Sequence, residues 1–394
     1  MLARGAPQAL VALLLGTSGS PAPDASGGDC TEWSLVWYTH AMSEEHYVTS
    51  QLLAGLPVRP PVLSRPLRTI AEAALRSGDP AAAAAAVHGA APQPAFPAAP
   101  WRGPPKQLQA AMVQAAADVA AGMQDCTIAV TRLRMSPKCA ASARLAEACQ
   151  SRGLRCVFVV LGEEGDGCGA CQAFYKAAQL VIRNYHNQDC ATLGSRVLTV
   201  PMGLARPLPE GLRRGGLPAS ARRWAWSFAS QHETRPRTQV ARFFQRRFQG
   251  QQEHRFRLVY PGEDPEYMAT LCDSKFALCP RGNVEDTWRL HEALHCGAIP
   301  VVTDGGEYFP RYMPESLTRH FVTAAADLRD GSLEAVVAEI ERLLQSPEEL
   351  LRKQQLLLKA HADFGQEWSR SVLQGVGAVA THRAQAPRSA SGEL

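Results

Sequence analysis

The 394 residues contain no N-x-Ser/Thr sequon, so N-glycosylation cannot be used to argue for a secreted protein. Nor does any apolar run approach the ~20 residues of a spanning helix, which argues against a stable transmembrane anchor. An excess of either charge is what the chain lacks. Lys and Arg number 41 against 37 Asp and Glu, and a formal net charge of +4 is too small to argue for a nucleic-acid partner. At 20% charged and 46% apolar residues, the composition is that of a globular chain rather than a disordered one, and the length suffices for two domains. The basic residues are mostly Arg and scattered. That pattern suits planar oxyanion recognition, or reflects codon bias in an Ala- and Arg-rich proteome, and both readings stay open.

What is present begins with a targeting pattern. Arg4 is the only side-chain charge before the apolar run 9–15, and small residues follow up to Pro21. This predicts a signal peptide over residues 1–20. Eleven cysteines suit an oxidising compartment, and the odd count leaves at least one thiol free. Disulfides are expected mainly in the N-terminal half, whereas Cys279 and Cys296 lie in apolar segments where buried free thiols are common. The expected location is the secretory pathway, in the Golgi or endoplasmic reticulum lumen.

Along the chain, apolar strands alternate with helices. Strands are expected at 35–38, 127–131, 155–162 and 197–201, and helices at 106–123, 141–151 and 171–184. Residues 56–105, rich in Pro and Ala, read as an insertion. After a basic stretch at 204–223, strands are expected at 224–229, 255–260, 275–279 and 299–303. Helices are expected at 238–249, 265–272, 287–295, 332–344 and 347–364. Strand–helix alternation predicts parallel sheets with right-handed crossovers. The division is therefore a first α/β domain over 30–203, a second over 204–375, and a disordered tail over 376–394. A ligand crevice should lie outside the carboxyl ends of the strands, between the domains.

The chemistry concentrates after Ser274. The strand KFALC ends at Pro280, the chain turns through Arg281, Gly282 and Asn283, and a helix opens with Asp286 or Thr287 as its cap. Free backbone N–H groups and the positive helix end make that loop a phosphate site. Arg281 and Arg289 would add charge-assisted contacts to a diphosphate. Glu292 can accept hydrogen bonds from a pair of sugar hydroxyls. Arg235 or Arg237 could reach the same phosphates or form a solvated helix start.

The run SKFALCPRGNVEDTWRLHEALHCGAIPVV resembles the signature of the exostosin-like glycosyltransferases. LGEE at 161–164, RNY at 183–185, VPMG at 200–203 and WSFAS at 226–230 follow the order seen in these enzymes and their ribitol xylosyltransferase-like relatives. The resemblance covers roughly 155–305. It implies a GT-B fold, two Rossmann-like domains facing a central cleft, a nucleotide-sugar donor (UDP-linked), a glycan or glycoprotein acceptor, inverting transfer, and no essential metal or cofactor. Ser230 stands where relatives often carry Gly, which departs from the pattern at that loop. Glu163 and Glu164, at the end of an apolar strand, are the best-placed bases for the acceptor hydroxyl, with a plain surface turn as the alternative. Arg183, Asn184 and Ser227 are expected to line the cleft, although Arg183 and Asn184 can equally cap a helix.

Three other readings compete. HEALH at 291–295 matches the pattern of two zinc-binding His one turn apart, which would mean a protease. CGAC at 168–171 opens a helix after a strand, as in thioredoxin-like redox domains. A catalytically silent homologue that binds a sugar nucleotide or glycan would carry the same donor motif.

Overall fold

The continuous apolar runs of this chain lack the polar–apolar alternation of a half-exposed strand, and burial on both faces is the consequence. Cys156–Val160 is buried at all five positions, as is Thr127–Thr131. In a computed structural model, the structure describes residues 30–37, 48–59, 105–131, 136–161, 168–186, 188–193, 196–204, 208, 216–229, 234–251, 253–257, 266–282, 286–303, 307–325 and 330–381.

The first sheet is built from β1 (Trp33–Trp37), β2 (Val58–Arg59), β3 (Thr127–Thr131), β4 (Cys156–Val160), β5 (Leu180–Arg183) and β6 (Val197–Thr199). Its order is β2-β1-β3-β4-β5-β6 and every pairing is parallel. Helices α1 (Pro105–Gly122), α2 (Ser136–Ser151) and α3 (Gln172–Ala177) belong to this half. The second sheet contains β7 (Trp224–Ala229), β8 (His254–Arg257), β9 (Ser274–Cys279), β10 (Ile299–Val302) and β11 (Val322–Thr323), in the order β11-β10-β9-β7-β8, again all parallel. Its helices are α4 (Arg235–Arg247), α5 (Tyr267–Cys272), α6 (Trp288–Cys296), α7 (Asp330–Leu344) and α8 (Pro347–Thr381). Two parallel α/β sheets, as expected, form the scaffold.

Several expectations need correction. The segment 171–184 is not one helix. It ends at Ala178, which is extended (φ −68°, ψ 137°), and Leu180–Arg183 becomes β5 beside β4. The apolar positions 178, 181 and 182 fit a helical period, but Leu-Val-Ile buried beside β4 favours a strand. Helix α2 begins at Ser136, earlier than residue 141. Val58–Arg59 adds an edge strand inside the expected insertion, whose residues 60–104 lie outside the described ones.

The C-terminal helix does not stop near residue 364. α8 runs for 35 residues to Thr381, through Gly377, a length of roughly 50 Å. Its first half places Leu350, Leu357, Ala360 and Phe364 in the core of the second sheet. Its last turns place Val372, Val376, Val379 and Ala380 in a core shared with Ile128, Val157, Val159 and Ile182 of the first. One helix thus fastens both sheets. Arg155 Nη1 donates to the carbonyl of Ala380 at 2.8 Å and caps that last turn. The guanidinium is itself held by Asp125, whose Oδ1 accepts the Arg155 backbone N–H at 2.7 Å.

The cysteines also sort differently. The disulfides among the described residues are Cys30–Cys126, Cys139–Cys171, Cys168–Cys190 and Cys272–Cys296, while Cys149, Cys156 and Cys279 are free and buried. Cys296 is therefore a bridging residue and not a buried free thiol.

Candidate active site

Helix α6 supplies most of the site. It starts where β9 meets the turn Pro280–Gly282, with Thr287 as the extended N-cap residue (φ −139°, ψ 147°). It stops at Gly297 in the left-handed conformation (φ 68°), where Ala298 N–H returns to Ala293 O at 2.9 Å. The Cys272–Cys296 bridge fixes the end of α6 to the end of α5. Arg281 N–H donates to Thr303 Oγ1 at 3.1 Å, so the turn after β9 is tied to the end of β10. Helix α6 also opens toward the first domain, since Trp288 packs on the core shared by the first sheet and α8.

The first turns of α6 hold a row of buried polar side chains. Asp286 is 2% exposed, Thr287 7%, Arg289 6%, His291 1% and Glu292 7%. Four atoms among them, Asp286 Oδ2, Thr287 Oγ1, Arg289 Nε and Arg289 Nη1, are buried without a hydrogen-bond partner among the described residues. Leaving such groups unsatisfied costs several kcal/mol in sum, most for the charged ones. The Arg289 guanidinium lies over the ring of Phe228, 5.5 Å from its centroid, and that ring stacks on Phe256. One turn on, Glu292 Oε2 accepts the hydroxyl of Tyr267 at 2.6 Å. Burial holds the Tyr267 hydroxyl well above its ordinary pKa, and the Glu292 charge adds to this. Burial likewise pushes the Cys279 thiol up to about 12, against the nearby Arg289 charge. Neither group ionises near neutral pH.

His291 Nε2 lies 2.7 Å from Asp286 Oδ1, and the backbone nitrogen of Met202 approaches the same Nε2 to 3.4 Å. The shorter contact decides the proton: Nε2–H donates to the carboxylate. His295 turns its Nδ1 to the carbonyl of His291 at 2.8 Å and its ring to His361. The two histidines of HEALH thus serve separate partners, which removes the geometry that a zinc reading requires. The redox reading fails on a similar fact. Cys168 bonds Cys190 and Cys171 bonds Cys139, so the two cysteines of CGAC do not form a pair with each other.

The other expected residues fall as follows. Gly282 lies against Arg237: a Cβ on Gly282 would stand 2.6 Å from Arg237 Nη2. It is Arg237 that reaches this turn, while Arg235 and Arg281 are exposed. Ser227 is buried in β7, in register with Ala277 and Arg255. Arg183 ends β5 rather than capping a helix. Its guanidinium is enclosed by Tyr175 and the Cys168–Cys190 bridge, donating to Cys168 Sγ at 2.9 Å. Asn184 is fully buried beside it, its N–H on Val160 O. Asn283, Glu163, Glu164 and Ser230 lie outside the described residues. Sequence reading missed Tyr267, His291 and the Asp286 side chain as site members. Asp286 and His291, five residues apart on one helix start, offered a signal, whereas Tyr267 offered none.

Residues 172–318 match the Exostosin GT47 domain. That segment is similar to the exostosin-like glycosyltransferases. That match begins at α3 and includes the whole segment from Ser274 to Thr303. No curated protein matches the chain in sequence. Among solved structures it is similar to the crystal structure of a GtfA/B complex at 10% identity and a TM-score of 0.43, over 73% of this chain and 63% of that one. It is also similar to the crystal structure of a UDP-N-acetylglucosamine 2-epimerase at 11% identity and a TM-score of 0.45, over 87% of this chain and 94% of that one. The chain thus spans less than two thirds of the GtfA/B chain it resembles.

Proposed function

We propose that this exostosin-like protein transfers a sugar from a nucleotide-sugar donor, UDP-linked, to a glycan or glycoprotein acceptor in the lumen of the secretory pathway. The observation that carries the proposal is Arg289: a buried guanidinium with two unpartnered N–H groups in the first turn of α6. A diphosphate would satisfy the fork, and the positive end of α6 would add to the attraction. Arg281 and Arg237 border the same turn and would complete the neutralisation.

Transfer with inversion needs few parts from the protein. The acceptor hydroxyl attacks the anomeric carbon while the bond from that carbon to the β-phosphate oxygen breaks. The leaving nucleoside diphosphate takes the electron pair, and the arginines and helix end stabilise its growing charge. The acceptor proton passes to a carboxylate, for which Glu164 or Glu163 is the candidate. No metal is invoked in this scheme.

A thermal-shift panel of UDP-, GDP- and CMP-sugars tests the donor site. One nucleotide class should raise the melting temperature by mass action, and Arg289→Met should abolish the rise. A wild-type chain indifferent to every nucleotide would sink the donor reading. Hydrolysis of the stabilising donor, lost in Glu164→Gln, would support turnover, while binding with no hydrolysis or transfer would favour the silent homologue.

A further inference from the structure

The diphosphate accounts for Arg289 but not for its neighbour. Asp286 Oδ1 is occupied by His291, and Asp286 Oδ2 is buried without a partner. A phosphate oxygen cannot serve it, because two anions in contact repel. Its partner must be a hydrogen-bond donor. Thr287 Oγ1, the adjacent unpartnered atom, can donate or accept and fits the same kind of ligand. On a sugar nucleotide, the neutral donors with a suitable reach are hydroxyl groups. Glu292 covers only part of this need, since Tyr267 already occupies its Oε2.

We propose that Asp286 is a specificity-determining residue that accepts a hydrogen bond from a donor hydroxyl, and that His291 is the residue positioning its carboxylate. The inference rests on the donor reading above and adds to it a hydroxyl-reading group distinct from the phosphate contacts. His291 is well placed for its part. It is 1% exposed, grips Oδ1 at 2.7 Å, and lies 3.4 Å from the backbone nitrogen of Met202 in the segment that follows β6. His291 thus holds one carboxylate oxygen of Asp286 and leaves the other for a ligand. The hydroxyl comes either from the ribose or from the transferred sugar, and the chemistry is the same.

Calorimetric titration of the full chain separates these sources. The titrants are UDP, 2′-deoxy-UDP, 3′-deoxy-UDP and the UDP-sugar that stabilises the chain best. If Asp286 reads the ribose, UDP binds roughly tenfold or more tighter than one deoxy analogue, as expected for a charged hydrogen bond. Asp286→Ala then erases that ratio. If it reads the transferred sugar, Asp286→Ala leaves UDP binding intact and erases the advantage of the UDP-sugar over UDP. A variant that keeps both wild-type ratios overturns the proposal, and Asp286→Asn, of the same shape, repeats the test should the alanine variant not fold. His291→Ala should lose the same ratio and His291→Gln, which keeps an N–H for Oδ1, should restore it; an unchanged ratio in His291→Ala overturns the positioning role. Wild-type chain that binds neither UDP nor any UDP-sugar overturns the donor reading itself, whereas tight binding of UDP with indifference to Asp286 overturns only this inference.

Discussion

Tyr267, at the start of α5, gives its hydroxyl to Glu292 in the middle of α6 at 2.6 Å, and both side chains are buried. The bond sits between the helix that precedes β9 and the helix that carries Arg289. It fixes Glu292 where the Arg289 charge is also felt, because both charges act on Tyr267 and on Cys279.

Tyr267→Phe should therefore leave a buried carboxylate oxygen without its donor. A loss of about 1–3 kcal/mol in unfolding free energy is expected, since the group left behind is charged. Urea denaturation followed by circular dichroism measures it. A variant as stable as wild type would show that water or another donor replaces the tyrosine.

Gly375 lies where α8 crosses the first sheet. A Cβ there would come within 2.9 Å of Leu198 Cδ1 and 3.2 Å of Leu180 Cδ2. Those methyl groups are the ends of flexible side chains, and Ala in a helix gains about 1 kcal/mol over Gly. Gly375→Ala should come out near neutral, whereas Gly375→Ile should cost about 1–3 kcal/mol through overpacking. Thermal melts of the two variants distinguish these outcomes, and a strongly destabilised alanine variant would mean that the leucines cannot yield.

His254 stacks on Trp226 at 4.8 Å with its Nδ1 buried and unpartnered. Burial brings its pKa down to about 4, against a small opposing pull from Glu253. The unfolded chain takes up the proton near pH 6.5, the ordinary histidine value. Between there and about pH 4 the unfolded state binds more protons, so stability is full above the ordinary value and falls as pH drops through this window. Chemical denaturation at pH 7, 5.5 and 4.5 should show a decline that His254→Phe reduces; an equal decline in both chains would assign it to other groups.

The Cys272–Cys296 bridge closes a loop over a separation of 24 residues. The chain-entropy model gives about 3 kcal/mol for a loop of that size. The double variant Cys272→Ala/Cys296→Ala should lose about that much stability and bind its nucleotide more weakly, because α5 and α6 then share only side-chain contacts. Equilibrium unfolding and titration with the same nucleotide test both parts.

Legibility differed between local and distant relationships. The strand–turn–helix–strand order at 274–303 could be read because apolar runs, Pro280, Gly282 and Gly297 punctuate it within thirty residues. The break between α3 and β5 could not, since an apolar run of that length satisfies both periods until β4 is placed beside it. The fate of Cys296 was equally hidden, because its partner is chosen by the packing of α5 on α6 and not by spacing. The decoys HEALH and CGAC failed for one reason: a local pattern fixes which residues are near in sequence, while their ring and sulfur directions depend on neighbours from elsewhere in the fold.

By itself, then, the sequence determined the parallel α/β architecture and the turn between β9 and α6, because hydrophobic runs and turn residues act over short stretches of chain. The tertiary structure decided that Arg289 and Asp286 are buried with atoms unpartnered among the described residues, that His291 meets Asp286 and Tyr267 meets Glu292, and that α8 fastens the two sheets. Those outcomes depend on which side chains meet across loops of tens of residues, and only the packed core selects among the partners available.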